Sequence, residues 1–525
     1  MERLGLPLAL ALGLAARAAA FALSVEHYGD APVRVELAER WARAPHLWRG
    51  FSEAYQYGPL HLTLLGAVLR IWPDRFVAPR AVSLLCGMAC IALLWKIARG
   101  LFGAGAALFA ACALSLSTLH IQASASSASE AVFLAFFLGA VERLLAARGA
   151  RTGTARAGAG NIGAGTGSAG AGRGALFASA LLLGAAGLIR YDGWLYVPIF
   201  CALLLLDWRR GERALADVAW YGALAALPAL LWLAQNARFG DALAPLHYID
   251  RDHRALAQAA LGWYGQAGYR LFCIAFWPGA ILLLCSPVAG ALALFGAVRA
   301  LALRTRGWEL AALAFLPVLY FIFRGAVLAD FRPLARFGMV AATLSLPFAH
   351  GVVESIRASF GAPAARIALA ASALFMLATP AALAALSYGR NGSAAEWARP
   401  LSPISSVPPG IAQAARFLRA HAGATDVVLL DGVWDYLDIP LAFESGLPER
   451  QLIRRAWPDF EQRLSQTKPT MAVLLYQGDL RSTKGAEGAV ETADRFDFRG
   501  TPFCAEAHFV YASIYRRCEN AGAKR

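Results

Sequence analysis

Charge is scarce in this chain. Only 16% of its 525 residues are Asp, Glu, Lys or Arg, against 58% hydrophobic. A soluble protein of this size cannot cover its surface with so little charge. Lysine is nearly missing, with Lys96, Lys468, Lys484 and Lys524 making up the set. Almost all of the +14 net charge is therefore arginine. Alongside abundant Ala and Gly this is a compositional bias, so Arg in place of Lys says nothing about phosphate recognition at any one position. No soluble stretch interleaves basic and aromatic residues, which argues against a nucleic-acid partner. The eight cysteines show no zinc-ligand spacing. Six of them (Cys86, Cys90, Cys112, Cys201, Cys273 and Cys285) lie in apolar stretches and read as small core hydrophobes. Internal repeats are also missing.

What is present is a succession of apolar runs long enough to span a bilayer. They fall at 5–25, 80–98, 104–122, 128–146, 174–190, 192–207, 214–236, 278–299, 307–324, 336–355 and 366–388. The fold expected is a polytopic α-helical membrane protein of about eleven transmembrane helices. The first run competes with a cleaved signal peptide; its length and the polar loop directly after it favour a retained helix. Arg17 inside it needs a polar partner or must snorkel. GPLHLTLLGAVLRIW (58–72) is short and opens with Pro59 and His61, so it suits an interfacial or re-entrant helix.

Charge placement orients the chain. With a cytoplasmic N-terminus and alternating spans, every short cytoplasmic connection is basic: Lys96 and Arg99, then Arg143 to Arg173, Arg209 to Arg213, Arg299 to Arg306, and Arg357 to Arg366. The acidic, His- and aromatic-bearing loops 26–79, 120–130, 237–277 and 325–335 then share the opposite, extracytoplasmic face, as does everything after 388. The low-complexity Gly/Ala segment 147–174 reads as a disordered cytoplasmic loop.

Residues 1–390 thus form a transmembrane domain and 391–525 a second domain. SPISSVPPG (402–410) is a Pro/Ser linker. An amphipathic helix (IAQAARFLRAHAG), a strand over 426–432, a helix (DFEQRLSQ), and strands over 471–477 and 507–517 suggest a small extracytoplasmic α/β domain. In that compartment a Cys504–Cys518 disulfide is permitted. Asp431 ends the first of these strands, where ligands bind in α/β sheets, but no Gly-rich loop accompanies it.

Several polar residues near the outer helix ends are candidates for chemistry. Asp30 stands just past the first apolar run, and a carboxylate at a membrane surface is costly to desolvate. The bland reading is a water-solvated interfacial acid. Glu130 is either a functional acid or a first-turn residue favoured by the helix dipole. Asp192 is most simply a helix N-cap. Arg80, Arg190, Arg332 and Arg336 are either anion binders or interfacial anchors. His61 and His120 near the same face are packed polar residues or substrate contacts. HYIDRDH (247–253) gathers His247, Asp250, Asp252 and His253, but at no good metal spacing.

GDAPVRVELAERW, YGPLH, APRAVSLLCG, ARGLFG, LHIQASASSASEAVFL, LIRYDGW and RPLARFGMV follow one another over residues 5–340. In that order and spacing they resemble the GT-C class of membrane glycosyltransferases, within the superfamily of protein O-mannosyltransferases and lipid A aminoarabinose transferases. The resemblance implies an enzyme, a hexosyl- or pentosyltransferase of the bacterial-type inner or plasma membrane. Its donor would be a polyprenyl-phosphate-linked sugar. Its acceptor would be a hydroxyl of a glycolipid, polymer or protein on the extracytoplasmic face. It also implies Asp30 as the base of an inverting reaction and Glu130 as a second acid. Ala31 replaces the acid that follows in the O-mannosyltransferase subtype, which weakens that assignment. The substrate-binding set is then His61, Arg80, His120, Arg190, Asp192, Arg332 and Arg336. No metal ligands are assigned, although a divalent ion remains possible because oligosaccharyltransferases of this class use one. Alternatives are such a metal-dependent oligosaccharyltransferase-like enzyme, a non-catalytic lipid-linked-sugar transporter, or a degenerate enzyme. A transporter predicts related halves and mid-span polar groups, which this sequence lacks.

Overall fold

The computed structural model describes residues 2–25, 29–157, 165–387, 401–432, 437–455, 457, 459–476, 478, 480, 489–492 and 494–518. The chain forms two compact units. One comprises Met1–Ser24 and Arg34–Ile404, the other Val25–Val33 and Ser405–Arg525.

The first unit is helical. In chain order its helices are α1 (Glu2–Leu23), α2 (Ala31–Arg43, whose first residues belong to the second unit), α3 (Phe51–Ala54), α4 (Pro59–Ile71), α5 (Ala78–Phe102), α6 (Ala104–Ser115), α7 (Thr118–Ser124) and α8 (Ser129–Ala157). Then come α9 (Gly165–Ile189), α10 (Tyr196–Arg209), α11 (Leu215–Phe239), α12 (Ala244–Cys285), α13 (Pro287–Leu303), α14 (Trp308–Ile322), α15 (Met339–Ser345) and α16 (Ala349–Ser387). Among the described residues, seven helices are long and apolar enough to cross a membrane. The pair α6 and α7, bent by 63°, makes an eighth, broken span. The protein is an integral, multi-pass membrane protein.

In this unit the structure departs from several sequence expectations. The outer loop expected at 237–277 is mostly helix, because α12 starts at Ala244 and breaks only at Gly265, whose φ of 67° is a left-handed value that glycine tolerates. The span expected at 278–299 straddles Ser286 (φ 75°), where α12 ends and α13 begins. The loop expected over 147–174 is entered by helix from both sides, α8 running to Ala157 and α9 starting at Gly165. Residues 158–164 of that expectation lie outside the described residues.

Arg17 is fully buried within α1. It donates to Gly13 O at 3.0 Å and Ser115 O at 3.1 Å, and reaches His120 Nδ1. A buried guanidinium needs such acceptors. Toward the end of α8, Arg148 pairs with Asp207 at 2.7 Å and Glu309 at 3.3 Å. Arg213 joins Asp207 at 3.5 Å. These four residues come from α8, α10, the α10–α11 connection and the first turn of α14.

The second unit carries α17 (Pro409–His421), α18 (Asp438–Ser445) and α19 (Phe460–Gln466). Its strands are β1 (Val428–Leu430), β2 (Leu452–Arg454), β3 (Met471–Leu475), β4 (Ala489–Glu491), β5 (Arg495–Phe498), β6 (Thr501–His508) and β7 (Ala512–Arg517). They make one sheet of order β2-β1-β3-β7-β6-β5-β4. β2, β1 and β3 are parallel and the remaining pairs antiparallel. Side chains alternate across the sheet. Val428, Leu430, Met471 and Val473 pack with Ile411, Leu418 and Leu441. Leu429, Ala472 and Leu474 pack on the other face with Phe460, Phe496 and Tyr515. The strand expected at 507–517 is in fact the end of β6, a turn, and β7. A disulfide joins Cys504 to Cys518, with Cα atoms 5.2 Å apart. Asp431 is fully buried and accepts the N–H of Leu475 at 3.2 Å and of Leu480 at 2.9 Å. Its carboxylate is used in holding the β3 turn.

Candidate active site

Four of the expected site residues come together where three helical segments begin or end. Glu130 lies in the first turn of α8. Arg190 is the extended residue after α9 (φ −143°, ψ 134°), and Asp192 follows in the short 3-10 turn Tyr191–Leu195. Arg336 lies in a second 3-10 turn, Ala335–Gly338, leading into α15. Arg190 is the hub. Its Nη1 pairs with Glu130 Oε1, and its Nε bonds Asp192 Oδ1 at 3.0 Å. The Arg190 and Glu130 side chains are 9% and 6% exposed, so the pair is largely desolvated. The Arg190 guanidinium also lies 5.5 Å from the Phe337 ring centroid, a cation–π distance. Glu130, Phe133, Leu134, Arg190, Asp192, Arg336, Phe337, Met339 and Val340 line a small cavity that opens to solvent.

Two backbone segments are locked against each other beside this cavity. Tyr191 donates its hydroxyl to Tyr57 O at 2.9 Å and receives Trp232 Nε1–H at 3.0 Å. A Cβ on Gly58 would sit 2.2 Å from Leu188 O and 2.6 Å from Ile189 O. Only a glycine lets the start of α4 approach the end of α9 so closely. The YGPLH and RYDGW motifs, far apart in sequence, are thus neighbours.

His61, the third residue of α4, is fully buried, and neither ring nitrogen has a hydrogen-bond partner. A polar group left unpaired in the interior costs roughly 1–3 kcal/mol. Burial, and then the nearby Arg34 and Arg190, hold its imidazole well below the usual histidine range. It is therefore neutral at pH 7. Arg34 is itself buried, 4.2 Å from the Tyr57 ring centroid, and its field reaches Glu130 as well as His61.

The other expected residues lie elsewhere. His120 is the partner of Arg17 and does not line the cavity. Arg80 is buried and donates at 2.7 Å to both Ala125 O and Phe21 O, its guanidinium 3.9 Å from the Phe21 ring centroid. It braces three chain segments. Arg332 is half-buried and does not line the cavity. Asp30 is half-buried immediately before α2, the helix that carries Arg34, and belongs to the second unit.

The chemistry of the donor set does not fit a metal. Glu130 and Asp192 are both engaged by Arg190, while Asp250 pairs with Arg324 and with Arg254 at 2.6 Å. Among the described residues no three His, Cys, Asp or Glu side chains are grouped to hold an ion.

Residues 56–159 match the family described as dolichyl-phosphate-mannose-protein mannosyltransferase. The structure superimposes on that of ArnT from Cupriavidus metallidurans bound to undecaprenyl phosphate, with a TM-score of 0.59 and 14% identity over 98% of each chain. It also superimposes on the archaeal oligosaccharyltransferase AglB from Archaeoglobus fulgidus, in complex with an inhibitory peptide and a dolichol-phosphate. There the TM-score is 0.54 and the identity 14%, over 95% of this chain and 74% of that one. No curated protein matches the sequence. This chain has the fold of the GT-C membrane glycosyltransferases. In this GT-C fold the cavity is built from residues within the motifs that carry the resemblance. Arg34, buried near Glu130 and His61, is not marked by the sequence pattern. Arg34 is one arginine among many in a polar stretch, and its only signal is the four-residue step from Asp30. His253 was grouped with its acidic neighbours, yet it packs its ring 4.5 Å from Phe331 and 5.8 Å from Phe337.

Proposed function

We propose that this protein transfers a sugar from a polyprenyl-phosphate donor to a hydroxyl acceptor at the extracytoplasmic face, with inversion at the anomeric carbon. The observation that carries the reading is the cavity with Arg190 at its hub, in a fold whose solved relatives hold undecaprenyl phosphate and dolichol-phosphate. Arg34, Arg190 and Arg336 gather there with Glu130 and Asp192. Guanidiniums so grouped suit a donor carrying a phosphodiester charge.

In the reaction the acceptor oxygen forms a bond to the anomeric carbon and loses its proton to the Asp30 carboxylate. The bond from that carbon to the phosphate oxygen breaks, and its electron pair leaves with the lipid phosphate. A positioned base contributes on the order of 10²–10⁴ in rate. The phosphate gains one negative charge as the bond breaks. Preformed guanidiniums in a poorly hydrated site stabilise charge at that moment, when it matters to the barrier. Glu130 fixes Arg190 in place. The N-terminus is cytoplasmic in this reading, because every short loop on that side is then basic.

The test is Asp30→Asn in purified, reconstituted protein supplied with a polyprenyl-phosphate sugar. Transfer should fall by at least about a hundredfold, with the variant still folded and membrane-inserted. Wild-type turnover in that variant would remove Asp30 from the chemistry.

A further inference from the structure

Phe337 sits where the charged and the apolar parts of the cavity wall meet. Its ring lines the cavity together with Arg190 and Arg336. The Arg190 guanidinium lies over that ring, 5.5 Å from its centroid, and the Arg336 guanidinium lies 5.6 Å from it. Both separations are within the roughly 6 Å reach of a cation–π attraction. The two arginines thus share one aromatic ring. Arg190 meets a second ring, Phe133, at 6.0 Å. Neighbouring guanidiniums repel each other, and the Arg190 side chain is only 9% exposed, so water screens that repulsion poorly. A carboxylate holds an arginine by cancelling its charge, as Glu130 and Asp192 do for Arg190. An aromatic face attracts the cation and leaves its charge whole. The ring is itself held from behind. Phe321 of α14 lies 5.1 Å from it, Phe331 5.6 Å and His253 of α12 5.8 Å. Phe321 stacks in turn on Trp277 at 5.6 Å. The Phe337 N–H donates to Leu334 O at 3.1 Å, within the 3-10 turn that also carries Arg336.

We propose that Phe337 is a positioning residue, whose ring keeps the Arg190 and Arg336 guanidiniums together at the cavity before the lipid phosphate arrives. The proposal rests on the donor reading above and adds the part that holds its cations in register. It makes binding depend on the electrons of the ring, because the attraction is to the negative face of the π system. A ring present only to fill space would serve equally well with that face depleted. Phe337 takes no part in bond making, and no contact of its own with the phosphate is assigned.

The test measures binding of undecaprenyl phosphate to full-length protein in detergent. Wild type is compared with F337L, F337M and F337Y, and with protein carrying pentafluorophenylalanine in place of Phe337. Fluorination nearly preserves the shape of the ring and reverses the sign of its quadrupole. Melting temperatures are recorded in parallel, so that either F337L or F337M suffices if the other fails to fold, and the fluorinated protein decides alone if neither folds. The expected result is that the nonaromatic variants and the fluorinated protein bind about tenfold more weakly. F337Y, which keeps the π face, should lose clearly less. Wild-type affinity in a folded F337L or F337M overturns the role of Phe337 and leaves the donor reading standing. Weaker binding in those variants with wild-type affinity in the fluorinated protein makes the ring a space filler and also overturns the proposal. Failure of wild type itself to bind undecaprenyl phosphate overturns the donor reading and this inference with it.

Discussion

Arg190 holds two carboxylates and Glu130 leans on several guanidiniums, so the two residues are not equivalent in stability. Arg190→Gln leaves Glu130 and Asp192 together without the cation that bridges them. Breaking a buried pair this way costs about 3–5 kcal/mol. Glu130→Gln leaves Arg190 bonded to Asp192 and an amide still able to accept, and should cost clearly less. Thermal unfolding in detergent checks the order, and equal destabilisation by both variants would refute it. At this scale the sequence was partly legible. Glu130, Arg190, Asp192 and Arg336 stood out by their place at outer helix ends. Arg34 did not, because in a chain where nearly every cation is arginine the residue type carries no signal. His120 and Arg80 lie away from the cavity, holding Arg17 and neighbouring backbone, and no local pattern marks that. An arginine or histidine at an outer helix end looks the same in sequence whether it faces a cavity or props up neighbouring backbone.

The start of α4 fixes the site more tightly than its short length suggests. A methyl group at Gly58 would run into two backbone carbonyls of α9, and backbone cannot swing aside as a side chain can. Gly58→Ala should therefore displace α4 from Arg190, costing about 1–3 kcal/mol through overpacking and lowering transfer. A variant with wild-type melting temperature and turnover would show that the contact is slack. Helix α12 departs from what its sequence suggests. The polarity of HYIDRDH suggests a loop. Its charges instead lie on a helix, and Asp250 is tied to Arg324 in the segment after α14. Polarity reports exposure, and a helix that runs outside the apolar spans is polar without ceasing to be a helix.

The division of the whole chain was only half legible. A composition shift near residue 390 marks the second domain, and three of the seven strands among its described residues lie within the expected segments. Val25–Val33 groups with Ser405–Arg525, with Val25 N–H donating to Ser405 O at 3.0 Å. No local pattern could show that, because the pairing joins segments almost four hundred residues apart. The membrane-embedded part was legible because apolar length is itself the physical requirement.

α8 is pinned by Glu130 at one end and by Arg148 eighteen residues on, each in its own ionic cluster. At 1.5 Å per residue the two anchors stand about 27 Å apart. α8 therefore behaves as a strut tied at both ends, which cannot turn or slide without parting one ion pair or the other. Arg148→Gln should loosen it at the far end and lower the melting temperature in detergent, because it strands the buried Asp207 carboxylate. An unchanged melting temperature would mean that the anchors yield. A strut so tied hands any movement at one end on to the other.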